Sequence, residues 1–248
     1  MDMLDWARGP LLFTALFVFV VGVAWRLFAL WRLPASSASS ASARQTFGTA
    51  DALQASLSRM IPHRGFHPSA TLVTVNPYVF HIGLALVFFG YAPHIAFIRR
   101  LTGLGWPALP DMVMYIAAAA TIVSLLIALL FRLTDPVLKK ISRADDMLTW
   151  ALTMLPLMTG MAVVDESSAS LLAHSSPLYR GPLAVHLLSL ELLLVWFPFG
   201  KLMHAFLVFP NRMRLARFFG RRGCARDRYG RIQTIPGGHQ PPWRDGSA

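Results

Sequence analysis

With 248 residues, 55% of them hydrophobic, and a mean hydropathy of +0.50, the chain is too apolar for an ordinary soluble domain of its size and reads as an integral membrane protein. Only 14% of its residues are charged, yet the formal charge is +11. The excess lies between and after the apolar runs, which marks membrane topology and not a separate nucleic-acid-binding domain. Its one cysteine, Cys224, excludes an intrachain disulfide and any iron–sulfur cluster held by this chain alone.

In chain order, the first apolar run is Leu11 to Trp31, within a segment 1–33. Asp2 and Asp5 deny it the positive start of a signal peptide, and the run continues past Arg26, so an uncleaved membrane helix is expected. Pro34 to Pro77 is rich in Ser and Ala and broken by Pro62, Gly65 and Pro68, which predicts a long loop with one short helix around Asp51 to Met60. Four more runs, each of a length to cross roughly 30 Å of hydrocarbon, follow at Tyr78 to Ile98, Met112 to Phe131, Met147 to Val164 and Leu183 to Phe209. The expected fold is therefore all-α, with five membrane helices, the last four (78–209) forming the core. The tail, 210–248, carries nine arginines; its first part reads as a basic surface helix and its end as disordered.

Counted outside these runs, Arg32, Arg44, Arg59, Arg64, Arg132, Lys139, Lys140, Arg143 and the tail arginines fall on one side, and only Arg8, Arg99, Arg100 and Arg180 on the other. The positive-inside rule then places the amino terminus outside and the carboxyl terminus in the cytoplasm.

Histidines are costly in hydrocarbon and usually functional there. His81 and His94 lie near the two ends of the second run, and His186 and His204 near the two ends of the fifth. If these helices are antiparallel neighbours, His81 faces His204 and His94 faces His186, two level pairs that each suit the axial ligation of one haem iron. His186 and His204 are 18 residues apart, five full turns and about 27 Å on one helix face. His81 and His94, 13 residues apart, fall about 140° off a common face in an ideal helix, and Pro93 is expected to kink or unwind the helix there. His63, His67, His174 and His239 lie in loops or the tail and read as surface residues.

The second run contains Val79-Phe80-His81-Ile82-Gly83 and Phe88-Phe89-Gly90, and the fifth His186-Leu187 and Phe197-Pro198-Phe199-Gly200-Lys201-Leu202-Met203-His204. Over about Pro77 to Asn211 these elements resemble the cytochrome b (gamma) subunit of membrane-bound respiratory nitrate reductase. In that family the second histidine of helix two follows the FFG directly. That position here is Tyr91, with His94 three residues on, and the first loop is longer, features that point towards gamma-like subunits of sulfur-metabolising or hydrogenase-linked complexes.

The resemblance implies a subunit of a bacterial cytoplasmic-membrane oxidoreductase complex that binds two haem b groups through His81, His94, His186 and His204. It implies quinol oxidation near the outer pair and electron delivery to a cytoplasmic iron–sulfur subunit, with a molybdenum catalytic subunit beyond it. Lys201 is a candidate partner for a haem propionate, and Tyr91, Asp111 and Glu191, with Asp165 and Glu166, are candidates for the quinol pocket or its proton exit. Arg212, Arg214, Arg217, Arg221 and Arg222 suit either an acidic partner surface or anionic lipid. Two alternatives stand beside this reading: the same cytochrome run in reverse, reducing quinone, and a cofactor-free anchor or transporter. The second lacks the repeated halves that transporters usually show.

Overall fold

The computed structural model describes residues 2–33, 49–58, 68–163, 177–221, 224–226 and 232–234. The chain falls into two units, one of Met1–Val23 with His67–Leu202, the other of Ala24–Phe66 with Met203–Ala248.

The first unit begins with a short helix, α1 (Met3–Arg8), closed by a capping box in which the Asp5 amide donates to the Asp2 carboxylate and the Asp2 amide to that of Asp5 (3.0 Å each). Pro10 then opens α2 (Pro10–Arg32), where its missing N–H costs nothing. Phe13, Phe17 and Trp25 on α2 are about 70% exposed, at 72%, 69% and 69%, an apolar surface suited to lipid and unsuited to water. At the start of the chain Asp2 pairs with Arg180, and that guanidinium holds the Asp2 carboxyl below the ordinary carboxylate range.

The helices α4 (Pro68–Gly90) and α6 (Asp111–Thr134) pack closely because small and polar side chains line the seam. Gly83 lies against Thr121 and the Ala117 carbonyl, leaving no room for a Cβ. Asn76 Nδ2 donates to the Ser124 carbonyl (3.0 Å), and Ser124 Oγ donates to Asn76 Oδ1 (2.9 Å). Such interhelical bonds contribute about 0.6 kcal/mol each in a membrane. Between them runs α5 (Ala92–Thr102), and after α6 comes the short α7 (Pro136–Ile141), capped by Asp135 through the amides of Val137 and Leu138.

Next, α8 (Ala144–Met161) joins α6 through Leu125, Met154 and Leu157, with Phe80, Leu84, Ile122 and Trp150 packed around them. The Trp150 indole donates to the Leu125 carbonyl at 2.8 Å. On its other side α8 packs on α9 (Pro177–Trp196), where Leu183 and Ala184 bury against Leu4 and Val163.

In the second unit, α3 (Thr49–Ser58) packs against α10 (His204–Arg221), so the short helix expected near Asp51 to Met60 is present. Arg214 of α10 closes the carboxyl end of α2, donating to the carbonyls of Leu30 (2.5 Å) and Leu33 (3.1 Å). Two three-residue strands, β1 (Cys224–Arg226) and β2 (Ile232–Thr234), pair antiparallel in the tail, a small departure from the all-helical expectation.

Among the described residues three helical stretches are long and apolar enough to cross a membrane, Met3–Arg32, Leu72–Gly90 and Asp111–Thr134, with a fourth if the interrupted pair Arg180–Trp196 and Lys201–Arg217 counts as one span. The segment Met147 to Val164 falls short because its helix starts at Ala144 and carries Asp145 and Asp146 in its first turn. The loop expected to reach Pro77 ends sooner, since α4 already begins at Pro68 and accepts Pro77 in its interior.

Candidate functional site

Helix α4 stops at Gly90, and a helix end in hydrocarbon must find partners for its last carbonyls. Residues further along the chain supply them. His94 Nδ1 donates to the Val87 carbonyl (3.1 Å), the Trp106 indole to that of Phe89 (2.6 Å) and the Leu109 amide to that of Gly90 (2.9 Å). Gly90 permits this closure, because a Cβ there would lie 2.7 Å from Leu109 Cδ1 and 2.9 Å from Met114 Cε. Tyr91 is extended (φ −79°, ψ 127°) and Pro93 sits in the first turn of α5. The expected break before His94 is therefore present, and the 140° misalignment with His81 does not apply because the two belong to separate helices.

The break brings His94 opposite His186 of α9. Their ring centroids are 6.4 Å apart and their planes are 15° from parallel. Two metal–imidazole bonds of about 2 Å, plus about 1.1 Å from each nitrogen to its ring centre, give about 6.2 Å across a metal held between two imidazoles. The separation is that of two imidazoles about one metal, and the rings lie in a stacked, near-parallel arrangement. Both rings are half-buried, and Phe88 and Tyr91 flank His94 at 5.7 and 5.3 Å.

Each ring is oriented through Nδ1, which leaves Nε2 for a metal. His94 uses the Val87 carbonyl, and His186 lies 3.2 Å from the Thr159 hydroxyl on α8. Gly160 gives His186 room, since a Cβ there would sit 3.2 Å from the ring's Cε1. His81 follows the same rule, donating from Nδ1 to the Pro77 carbonyl at 2.6 Å. It is exposed on α4 in the first unit, while His204, also exposed, opens α10 in the second.

The single helix expected from His186 to His204 is broken, so the five-turn spacing does not describe these two residues. After Trp196 the chain turns through Phe197–Gly200, passes a 3₁₀ turn at Lys201–Met203 and restarts at His204. Pro198 offers no N–H to the Leu194 carbonyl, and it packs where a Cβ on Gly22 would be 2.6 Å away. The turn closes on itself: Phe197 N–H donates to the Leu193 carbonyl (2.9 Å), and the Phe199 and Gly200 amides both donate to that of Trp196 (3.0 Å each).

The remaining candidates scatter. Lys201 pairs with the buried Asp146 and approaches Asp145 at 3.8 Å, so a propionate would have to share that ammonium. Arg132 completes the cluster, 3.1 Å from Asp146. Burial alone would raise the Asp146 carboxyl, but bonds from Lys201 and the Arg143 amide and the charge of Arg132 outweigh it and hold the group below its ordinary range. Glu191 is 5% exposed on α9, and its Oε1 makes no hydrogen bond. Asp111 is exposed in the first turn of α6, where a carboxylate suits the helix dipole. Arg214 is occupied in capping α2, and Arg222, His63, His67, His174, His239, Asp165 and Glu166 lie outside the described residues. Among the described residues no group of three or more His, Cys, Asp or Glu could hold a metal ion, whereas an axial clamp needs two.

Sequence reasoning missed Thr159, Ser189 and Asp146. Asp146 at the start of an apolar run was a visible signal; the two hydroxyls had none, since nothing local says which helix they face.

No family model matches the chain. A protein of Nitratidesulfovibrio vulgaris, described only as a protein, is 28% identical to it over 216 residues, which cover 84% of this chain and 89% of that one.

Proposed function

We propose that this chain is the membrane-embedded diheme cytochrome b subunit of a quinol-dependent oxidoreductase complex, similar to the gamma subunit of respiratory nitrate reductase. The observation that carries the reading is the His94 and His186 pair, whose 6.4 Å ring separation and 15° interplanar angle suit one haem iron. His94 and His186 would hold the haem nearer the outer face, and His81 and His204 that nearer the cytoplasm, in a chain with its amino terminus outside. Bound haem would supply one-electron transfer between a quinone and a soluble redox partner.

The protein's own residues do the rest. The Nδ1 bonds of His81, His94 and His186 fix ring orientation and raise the donor strength of Nε2. Phe88, 5.7 Å from His94, and the apolar helix faces around it would give a bound haem an apolar surround. Tyr91, edge-on to His94, is placed to meet a quinol hydroxyl, and the buried Glu191 and the exposed Asp111 are candidates for carrying its protons outward. The cytoplasmic partner is an iron–sulfur subunit, in a complex that includes a molybdenum catalytic subunit, and the complex resides in a bacterial cytoplasmic membrane.

Pyridine haemochrome analysis of the purified chain tests this directly, with two haem b per chain expected. Redox titration of His94→Ala and His186→Ala should show the same component missing from both. A chain with no haem, or two variants that lose different components, would overturn the assignment.

A further inference from the structure

We infer that Thr159 is a positioning residue that helps hold the ring plane of His186, a role that rests on the proposed ligation of haem by that histidine. The hydroxyl donates its own proton to the Leu155 carbonyl one turn back (2.7 Å), so its lone pairs face α9. There it accepts from His186 Nδ1 (3.2 Å) and lies 3.0 Å from Ser189 Oγ. Ser189, 5% exposed, donates to the His186 carbonyl (2.7 Å), so the two hydroxyl oxygens lie side by side without a proton between them. On the adjoining side Gly160 leaves a space of one methyl group, and the imidazole edge occupies it. The ring is therefore held by a hydrogen bond at its edge and by backbone at its flank, and the outcome is a plane 15° from that of His94.

The other oriented histidines differ in one respect. His81 and His94 donate to backbone carbonyls, which substitution cannot remove, whereas His186 has the Thr159 hydroxyl as a partner in addition to the Pro156 backbone carbonyl. His186 is thus the ligand with one partner that a single substitution can remove. An Nδ1–H held by an acceptor makes Nε2 more electron-rich and favours the oxidised, more positive metal. Loss of the acceptor therefore raises the reduction potential. If the preference for the oxidised state falls about tenfold, the rise is about 59 mV for a one-electron couple.

The experiment uses the full chain in membranes, with Thr159→Val, Thr159→Ser and Ser189→Ala. Three quantities are read: haem per chain, the midpoint of the component that His186→Ala removes, and the low-spin electron paramagnetic resonance line of that component. Thr159→Val should keep that haem or weaken its retention about tenfold, raise its midpoint, and move its resonance line, because the imidazole planes are freed from their near-parallel setting. Thr159→Ser should restore all three, Ser189→Ala should leave them nearly unchanged, and the second component should not move. Should the valine variant fail to accumulate, Thr159→Ala carries the same comparison with less bulk. Unchanged midpoint and line in the valine or alanine variant, or no rescue by serine, would overturn the role of Thr159 while leaving the haem reading intact. A native chain without haem would instead remove the ligation on which the role depends.

Discussion

Both histidine-bearing apolar runs are interrupted, and the two interruptions are built differently. At Gly90 the freed carbonyls are paired by His94, Trp106 and the Leu109 amide, from up to nineteen residues on. At Phe197–Gly200 the turn pairs its backbone with its own neighbours, and its outward contacts are side-chain ones: the Trp196 indole donating to Thr149 (3.0 Å), the Phe197 ring edge-on to Phe19 (5.2 Å) and Pro198 against Gly22. The first break is held by tertiary contacts and aims a side chain. The second is a local turn at Pro198 whose backbone hydrogen bonds are made within the turn itself.

The sharpest way to break this comparison is Gly90→Val. Its branched side chain would collide with Leu109 and Met114 and displace the segment that pairs the α4 carbonyls. Overpacking of this kind costs about 1–3 kcal/mol, and here it also misplaces His94. The haem component assigned to His94 and His186 should disappear from the optical redox titration, with the other retained.

A smaller effect tests the segment just beyond the second break, where Lys201 meets α8. Asp146→Asn should cost about 2 kcal/mol, as bonds between charged groups typically do, through loss of its bonds to Lys201 and Arg132. The sign with pH is fixed. The folded carboxyl lies below its unfolded value of about 4, so its contribution is full above that value and is lost as pH falls through the lower folded one. Thermal unfolding in detergent, measured between about pH 7 and pH 3, should show this acid-sensitive part in the native chain and not in Asp146→Asn.

Trp106→Phe, which leaves the Phe89 carbonyl without the indole, should cost about 1 kcal/mol and broaden the component at His94. Trp196→Phe should be the mildest, about 0.6 kcal/mol by loss of the Thr149 bond, with haem content unchanged. If Trp196→Phe proves the more damaging of the two, the second break is not self-sufficient and the contrast fails.

The sequence made some of this readable and hid the rest for a physical reason. Hydropathy placed Leu11–Trp31, Tyr78–Ile98 and Met112–Phe131, which overlap the observed Met3–Arg32, Leu72–Gly90 and Asp111–Thr134, because an apolar run of that length has few other uses. Proline made the break before His94 legible, and the facing of His94 and His186 came from depth alone. Pro198 carried the same information about the fifth run and was outweighed by the even spacing of His186 and His204, which assumes an intact helix. The pairing of Lys201 with Asp146 spans 55 residues, and the meeting of Thr159 with His186 spans 27. Contacts of that kind depend on how two helices rotate against each other, which no local pattern records.

Arg214 adds a matter of timing. The carbonyl end of α2 is completed by a guanidinium 184 residues further along the chain. A ribosome delivers residues in order, so the first apolar helix is made long before the group that closes it. Until α10 has emerged, the Leu30 carbonyl has the Leu33 amide (3.3 Å), and the Leu33 carbonyl is left to water or lipid headgroups. The earliest helix to be synthesised is thus among the last to be finished, and a chain cut short before Arg214 would leave that end of it open.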